Sequence, residues 1–192
     1  MTNLDAIFGR LGNKLFQYSF LYAESRRRGV DFYFQDLKYF EGYEEEIKQL
    51  FGEGIGYLSQ VGVHIRRASN PINPQELAYH ENPFYTDLTS TDYYERAMAL
   101  FPEDKFLVFS DDPEWCKEKF KDNSRVQVME KGNEIEDFNL LASCNGIIGA
   151  NSSFSWWAAF LNPNPDIKRV FPKNWYADGV QRTKLPDNWI TI

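Results

Sequence analysis

Apolar and polar positions follow a regular pattern over most of the chain after residue 60. Short apolar runs predict buried strands, and the amphipathic segments between them predict helices. The predicted strands are 61–67, 105–110, 125–129, 146–150 and 167–172. The predicted helices are 91–101, 111–120, 134–144 and 152–162. Strands that alternate with helices are typical of an α/β fold, so we expect a Rossmann-like parallel sheet with helices on both faces.

The first part of the chain is less regular. Its segment 35–57 is polar and acidic and predicts a linker with a short helix. We therefore divide the chain into an N-terminal part, residues 1–58, and a C-terminal Rossmann-like part, residues 59–192. The elements predicted before the linker are a strand at 4–8, a helix at 14–28 and a strand at 31–34.

The overall charge narrows the class of partner. The chain has 28 acidic and 21 basic residues, a net charge of −7 and an isoelectric point near 4.9. This balance argues against general binding to nucleic acid or to an anionic membrane surface. An anionic ligand must therefore be held by a local cluster of positive groups.

Cysteine usage and the N-terminus bear on location. The two cysteines, Cys116 and Cys144, lack the short spacing of a metal site, so we expect free thiols in a reducing compartment, with one disulfide as the open alternative. The N-terminus has no apolar signal core, and no apolar run approaches the ~18 residues of a spanning helix. We expect a cytoplasmic protein without a metal.

The segment HIRR, residues 64–67, ends the first predicted strand of the regular region. Strand alternation predicts His64 and Arg66 on one face and Arg67 on the other. A guanidinium can donate two parallel hydrogen bonds to a diphosphate, so the arginines are candidates for a phosphate clamp. The alternative for the arginines is a structural ion pair with acidic residues of the chain. The alternative for His64 is a buried structural histidine without a catalytic role.

Two further clusters follow predicted strands, at the sheet edge where α/β proteins bind ligands. Asp112 precedes Pro113 and predicts a helix N-cap, whereas Asp111 could accept hydrogen bonds from the edge of a guanine. Asn151 leads a cluster of three serines at a predicted helix N-terminus, where free N–H groups favour an anion. The alternative is capping, which needs only one serine. The serines are Ser152, Ser153 and Ser155.

Taken in order, these pieces resemble glycosyltransferase family 11, the α-1,2-fucosyltransferases. The resemblance extends to both ends of the chain and is most specific in its last third. The matching segments are GRLGNKLFQY (9–18), HIRRASN (64–70), YYERAMAL (93–100), FSDDPEWC (109–116), NSSFSWWAAFLN (151–162) and FPKNWY (171–176).

The resemblance implies a GT-B fold, in which two Rossmann-like lobes face each other and the C-terminal one holds most of the donor, GDP-fucose. It implies metal-independent, inverting transfer of fucose to a glycan hydroxyl, α-1,2 to galactose, without a further cofactor. The implied catalytic side chains are Arg66, Arg67 and His64. The implied donor-binding residues are Asn13, Gln17, Arg66, Asp111, Asp112, Asn151, Ser152, Ser153 and Ser155, with Arg10 and Lys14 as reinforcement.

Two departures from the family pattern matter. The family's GDY after the arginines is replaced here by Ala68, Ser69 and Asn70, so a carboxylate is missing. The stretch between LFQY and HIRR is also shorter than is usual in the family, and that part normally contributes much of the acceptor site. His64, His80 and Asp92 are all candidates for the general base.

Three functional alternatives stay open at this point. The leading one is a small fucosyltransferase with a glycan acceptor. The second is a protein that binds a GDP-sugar without transferring it, which the missing GDY and the short lobe favour. The third is a transferase with another donor, such as GDP-mannose. A shortened lobe would also expose apolar surface that a homodimer could cover.

Overall fold

The protein is described here from a computed structural model, which covers residues 11–28, 48, 51–52, 55–68 and 77–192. The chain divides into two compact units, Met1–Gly54 and Ile55–Ile192. The predicted boundary at residue 58 lies within the second unit. The roles assigned to the two lobes stay predictions.

The first unit contributes one described helix, α1, which spans Leu11–Arg28. The predicted helix 14–28 is therefore confirmed, with a start three residues earlier. The predicted strands at 4–8 and 31–34, most of the linker helix, and Arg10, Ser69 and Asn70 lie outside the described residues.

The second unit is built on a sheet of six parallel strands. The strands are β1 Val61–Ile65, β2 Phe106–Ser110, β3 Val126–Val128, β4 Gly146–Ile148, β5 Lys168–Phe171 and β6 Ile190–Thr191. They lie in the order β3-β2-β1-β4-β5-β6, which doubly wound nucleotide-binding sheets share. This confirms the predicted α/β, Rossmann-like class.

Helices pack on both faces of this sheet. They are α2 Tyr93–Ala99, α3 Pro113–Lys119, α4 Glu134–Ala142 and α5 Ser153–Leu161. Val61, Val63 and Ile65 of β1 point into a core that α2 and α3 cover. Gly62 points to the opposite face, where an added Cβ would lie 2.6 Å from Leu141 of α4, so that helix can approach only because the side chain is absent.

Local sequence explains where these helices start. The Asp112 carboxylate accepts a hydrogen bond from the Trp115 N–H at the start of α3, and Pro113 occupies the first helical position. Asn133 caps α4 in the same way, and Ser152 caps α5. The predicted capping role of Asp112 is therefore confirmed.

Two arginines at the amino edge of the sheet donate hydrogen bonds to the loops that precede its strands. The buried Arg169 of β5 donates to the carbonyls of Ala159, Asn164, Pro165 and Ile167 at 2.8–3.1 Å. Its burial lowers the pKa of the guanidinium, against the raising effect of Asp166. Arg125, just before β3, donates to the carbonyls that follow α2, those of Phe101, Pro102 and Asp104.

Both cysteines are buried and free, as expected. Burial raises the pKa of Cys116 to about 11 and that of Cys144 to about 12, so both are neutral thiols near neutral pH. Among the described residues, no helix combines the length and apolar character that crossing a membrane requires.

The structure corrects the predictions in three places. β1 ends at Ile65, so Arg66 and Arg67 follow the strand instead of closing it. The predicted loop 68–90 contains two short 3-10 helices, at 79–81 and 88–90. The last strand, Ile190–Thr191, was not predicted, because two residues are too short for a periodic pattern.

Candidate active site

The candidate site lies at the carboxyl edge of the sheet, where β1 and β4 are neighbours although distant in sequence. The strand order reverses between these two strands, and α/β sheets bind ligands in the crevice at such a reversal. Residues 66–68 follow β1 and residues 151–153 follow β4. The end of β2, with Asp111, lies on the other side of β1, because Ile65 pairs with Ser110 in the register.

Arg66 is held by a carboxylate and a ring. One of its terminal nitrogens forms an ion pair with Oδ2 of Asp111. The guanidinium carbon lies 5.2 Å from the ring centroid of Tyr79, within the range of a cation–π contact. Both charged side chains are largely buried, at 12% and 11% exposure, so each depends on the other to offset desolvation.

The second oxygen of Asp111 organises the backbone. Oδ1 accepts hydrogen bonds from the N–H groups of Arg67, at 2.8 Å, and Ala68, at 3.0 Å. One carboxylate therefore fixes both the turn that leaves β1 and the guanidinium that the turn carries. The guanine contact assigned to Asp111 stays a prediction, and these three contacts are the structural role that the sequence did not reveal.

Arg67 is engaged on three sides. Its Nε lies 3.1 Å from Oδ2 of Asp112, and a terminal nitrogen donates to Oγ1 of Thr89 at 2.9 Å. The guanidinium carbon lies 4.4 Å from the ring centroid of Trp115. The structural ion pair that the sequence left open is thus present here, and Arg67 anchors the segment after β1 to the start of α3.

Asn151 joins two loops above α5. Its buried amide donates to the carbonyls of Thr86 and Trp175, each at 2.9 Å. Its own backbone carbonyl accepts a hydrogen bond from the Tyr79 hydroxyl. Burial raises the pKa of Tyr79 far above its ordinary value, so this hydroxyl is a donor at any physiological pH.

The same two loops are joined by their backbones and by stacked rings. The Thr86 N–H donates to the Trp175 carbonyl, and the Ala177 N–H donates to the Phe84 carbonyl, each at 3.1 Å. Tyr79 stacks on Tyr85 with centroids 4.4 Å apart, and the next ring, Tyr176, lies 5.9 Å beyond. The segments around residues 85 and 176 therefore form one rim of the candidate site.

The three serines of α5 have different surroundings. Ser155 is completely buried, and its hydroxyl accepts from the Ala150 N–H at 3.1 Å. Ser152 caps the helix by accepting from the Phe154 N–H at 3.3 Å. Ser153 occupies the first turn and is partly exposed. Ser152 and Ser153 thus lie at the helix N-terminus, where an anion could bind, and Ser155 stabilises the turn before the helix.

The candidate bases lie in different surroundings. His64 is buried, with its ring 5.0 Å from that of Phe154. His80 is partly exposed, and its Nδ1 lies 2.8 Å from the Arg67 carbonyl. Asp92 is exposed and forms an ion pair with Arg96. None of these contacts selects the base, so the three candidates stay predictions.

Comparison with known proteins now adds to this geometry. The family model described as glycosyl transferase family 11 matches residues 8–192. The chain belongs to this family.

Relatives in the family carry related names. The chain is 30% identical to an alpha-1,2-colitosyltransferase of Escherichia coli over 92% of its own length and 67% of the relative's. It is 34% identical to the O-antigen biosynthesis glycosyltransferase WbnK of Escherichia coli over 68% of its length. It is 34% identical to galactoside alpha-(1,2)-fucosyltransferase 1 of Saimiri sciureus over 53% of the length of the present chain. No solved structure matches the chain.

The chain covers only part of these family 11 relatives. It spans 43% of the length of WbnK and 28% of that of the Saimiri enzyme.

The described residues contain no group of three or more histidine, cysteine, aspartate or glutamate side chains that could hold a metal ion.

The family motifs are brought together in part. The motif residues after β1, β2 and β4 meet at one edge of the sheet, as predicted. Asn13 and Gln17 lie on α1 in the other unit, where the Gln17 amide donates to the Asn13 carbonyl at 3.1 Å. Their predicted part in donor binding stays a prediction.

Sequence reasoning missed three residues that shape the site: Tyr79, Thr89 and Trp115. Trp115 lies inside the FSDDPEWC motif, so a position near the site could have been predicted for it. Tyr79 and Thr89 come from the aperiodic segment after β1, where no repeat indicates which side chains turn inward.

Proposed function

We propose that this chain is a glycosyltransferase that moves fucose from GDP-fucose to a hydroxyl of a glycan acceptor, α-1,2 to galactose. The observation that carries the proposal is the position of Arg66 at the β1–β4 reversal, where it contacts Tyr79, whose hydroxyl donates to the carbonyl of Asn151 just before α5. Family membership and the names of the relatives support the same reaction class.

In this proposal the chain stabilises the departing diphosphate. The acceptor oxygen bonds to the anomeric carbon while the bond from that carbon to the phosphate oxygen breaks, and the electron pair leaves with GDP. Arg66 and the first N–H groups of α5, with Ser152 and Ser153, offset the charge that develops there. The acceptor proton passes to His64, His80 or Asp92, and attack opposite the leaving group inverts the anomeric centre.

The two arginines have different parts in this proposal. Arg66 binds the diphosphate directly, because its fork of five N–H donors can serve Asp111 and a phosphate together. Arg67 holds the turn in place through Asp112, Thr89 and Trp115. The reaction runs without a metal, as the family resemblance implies.

A second candidate is a protein that binds a GDP-sugar without transferring it. The observations that favour it are the replaced GDY motif and the short stretch between LFQY and HIRR. The donor sugar is a separate question, since one relative is named for colitose and GDP-mannose is a further possibility.

Calorimetric titration with GDP-fucose, GDP, GDP-mannose and UDP-glucose tests both candidates, followed by an assay of GDP release with and without galactosides. Selective GDP-fucose binding with galactoside-stimulated release is the expected result. If GDP and GDP-fucose bind but no offered acceptor leads to release of GDP from the donor, the binding protein is supported. Absence of binding to every GDP species overturns both candidates.

We also propose a cellular location and an oligomeric state. A cytoplasmic location is supported by the two free, neutral thiols. A homodimer is a prediction from the short N-terminal lobe, and sedimentation of the purified chain measures it directly.

A further inference from the structure

We propose that the rim around residues 85 and 176 is the acceptor subsite. The exposed ring of Phe84 stacks on the apolar face of a terminal galactose, and the pair Arg182–Asp178 bonds its hydroxyl groups. The inference rests on the proposed function and names the surface of the same site that holds the acceptor.

Phe84 combines exposure with a fixed position. Its side chain is 49% exposed, and the rings of Tyr85 and Tyr176 meet it edge to face, with centroids 5.0 and 5.1 Å away. Its carbonyl accepts from the Ala177 N–H at 3.1 Å, and its N–H donates to Oδ1 of Asn82 at 3.0 Å. A ring that is held in this way can bind a ligand with little loss of conformational entropy.

A charged pair lies directly beside this ring. The guanidinium carbon of Arg182 is 5.5 Å from the ring centroid of Phe84 and 4.9 Å from that of Tyr176. Its terminal nitrogens donate to the two oxygens of Asp178, at 3.0 and 2.5 Å, and both side chains stay exposed. A guanidinium has five donors and a carboxylate about four acceptor positions, so an exposed pair can also serve hydroxyl groups.

The pair keeps its charge over the pH range of an assay. The hydrogen bonds from Arg182, followed by that from the Val180 N–H, lower the pKa of Asp178 to about 2. The carboxylate is therefore ionised at every pH well above this value and accepts hydrogen bonds only.

An open ring beside a charged pair fits a galactoside. The C–H groups of a pyranose carry partial positive charge and are attracted to the negative face of an aromatic ring. In galactose the axial 4-hydroxyl leaves the hydrogens of carbons 3, 4 and 5 on one face, whereas glucose divides them between both faces. The equatorial 2-hydroxyl, to which the transfer is proposed, stays at the edge of the sugar.

The rim is joined to the place where the diphosphate is proposed to bind. Tyr79 stacks on Tyr85 with centroids 4.4 Å apart, and its hydroxyl donates to the carbonyl of Asn151 just before α5. The Asn151 amide in turn holds both loops of the rim. Two ring contacts therefore lead from Phe84 to Tyr79 at the start of α5, so an acceptor on the rim lies next to the donor.

Binding of lactose, a disaccharide that ends in galactose, tests the rim directly. We would record saturation-transfer NMR of lactose with the full chain and GDP, and the KM for lactose with GDP-fucose as donor. Saturation should reach the galactose protons at carbons 3, 4 and 5 most strongly. Phe84→Ala should weaken lactose roughly three- to tenfold, the factor expected from the loss of one aromatic stack, and leave the affinity for GDP unchanged.

Three comparisons make this result specific. Phe84→Trp, which keeps a ring, should bind lactose as the wild type does. Cellobiose, which ends in glucose, should bind weakly to the wild type and no more weakly to Phe84→Ala. Leu140→Ala is the matched control, because Leu140 is an exposed apolar side chain near the end of α4, at the amino edge of the sheet. It should change neither affinity.

Three outcomes overturn the inference. Equal lactose affinity of Phe84→Ala and the wild type makes Phe84 a packing residue of the rim. An equal loss of GDP and lactose affinity makes it part of the donor site. A wild type that binds GDP but receives no saturation transfer to lactose removes the subsite. If Phe84→Ala folds poorly, Phe84→Leu, which keeps apolar packing without a ring, takes its place.

This test and that of the proposed function fail in different ways. A wild-type chain that binds no GDP species removes the proposed function. A wild-type chain that binds GDP and transfers fucose, with a lactose KM that Phe84→Ala does not change, removes only the acceptor subsite.

Discussion

The two edges of the sheet use arginine in opposite ways. At the amino edge, Arg169 and Arg125 donate only to backbone carbonyls in their hydrogen bonds, and so join loops to strands. At the carboxyl edge, Arg66 and Arg67 pair with the carboxylates of Asp111 and Asp112. A carbonyl is a neutral partner that leaves the cation's charge uncompensated, whereas a carboxylate compensates it.

This difference teaches how to separate a structural arginine from a ligand-binding one. A guanidinium enclosed by four carbonyls has little capacity left for a ligand. A guanidinium that pairs with a carboxylate can donate to a second anion as well, because it carries five N–H donors. We therefore expect arginine substitutions at the amino edge to lower stability alone. Substitution of Arg66 should lower ligand affinity as well as stability, because the buried Asp111 loses its partner.

The largest expected effect is that of Arg66→Gln. The variant keeps a donor for Asp111 but loses the positive charge, so GDP release should fall by about 100- to 1,000-fold, the range for removing one preorganised donor at a developing charge. Steady-state kinetics and GDP titration measure it, with thermal unfolding as the check on the fold.

Lys121→Ala is the control for this substitution, because Lys121 is an exposed cation that pairs with Glu118 at the C-terminal end of α3. It should leave GDP release unchanged. If Arg66→Gln lowers the unfolding midpoint but not the affinity for GDP, the proposed contrast between the two edges is wrong.

Arg169→Ala should have the next largest effect, on stability alone. It leaves four carbonyls without their donor in a buried place, which costs about 3 kcal/mol of unfolding free energy. Urea denaturation measures this cost, and GDP affinity measured below the transition should equal that of the wild type. A variant of unchanged stability would mean that water replaces the guanidinium without loss.

Arg67→Ala should have a smaller effect, divided between stability and affinity. Loss of the contacts with Asp112, Thr89 and Trp115 should lower stability by about 2 kcal/mol and weaken GDP by less than tenfold. Urea denaturation measures the loss of stability, and GDP titration measures the loss of affinity. A loss of affinity as large as that of Arg66→Gln, at full stability, would place Arg67 on the diphosphate itself.

The smallest effect is expected for Ser152→Ala. Loss of the cap of α5 should lower stability by about 1 kcal/mol, and loss of a donor to phosphate should weaken GDP a few-fold. Asn133→Ala is the matched control, since Asn133 caps α4 in the same way. Equal stability losses with a GDP effect only in Ser152→Ala would separate the two roles of the serine.

The sequence predicted the regular part of this molecule well, and for a physical reason. A strand buried on both faces and an amphipathic helix each have a period that apolar residues must follow, so Val61–Ile65 and the elements after it could be located. The carboxyl-edge clusters could be located too, because residues that follow parallel strands meet at one edge.

The partners within the site could not be predicted in this way. Asp111 meets Arg66 because Ile65 pairs with Ser110, and that register depends on contacts across the sheet rather than on local pattern. Tyr79 reaches Asn151 from an aperiodic loop. Long-range pairing and loop conformation have no local period, so these contacts needed the structure.

The amide of Asn151 has a consequence for engineering. Because it holds the carbonyls of Thr86 and Trp175 together, the loop after β1 and the loop after β5 form a single module. Grafting one loop from a relative would leave the other without its hydrogen-bonding partner. A chimaera should therefore exchange both loops in one step and keep this asparagine.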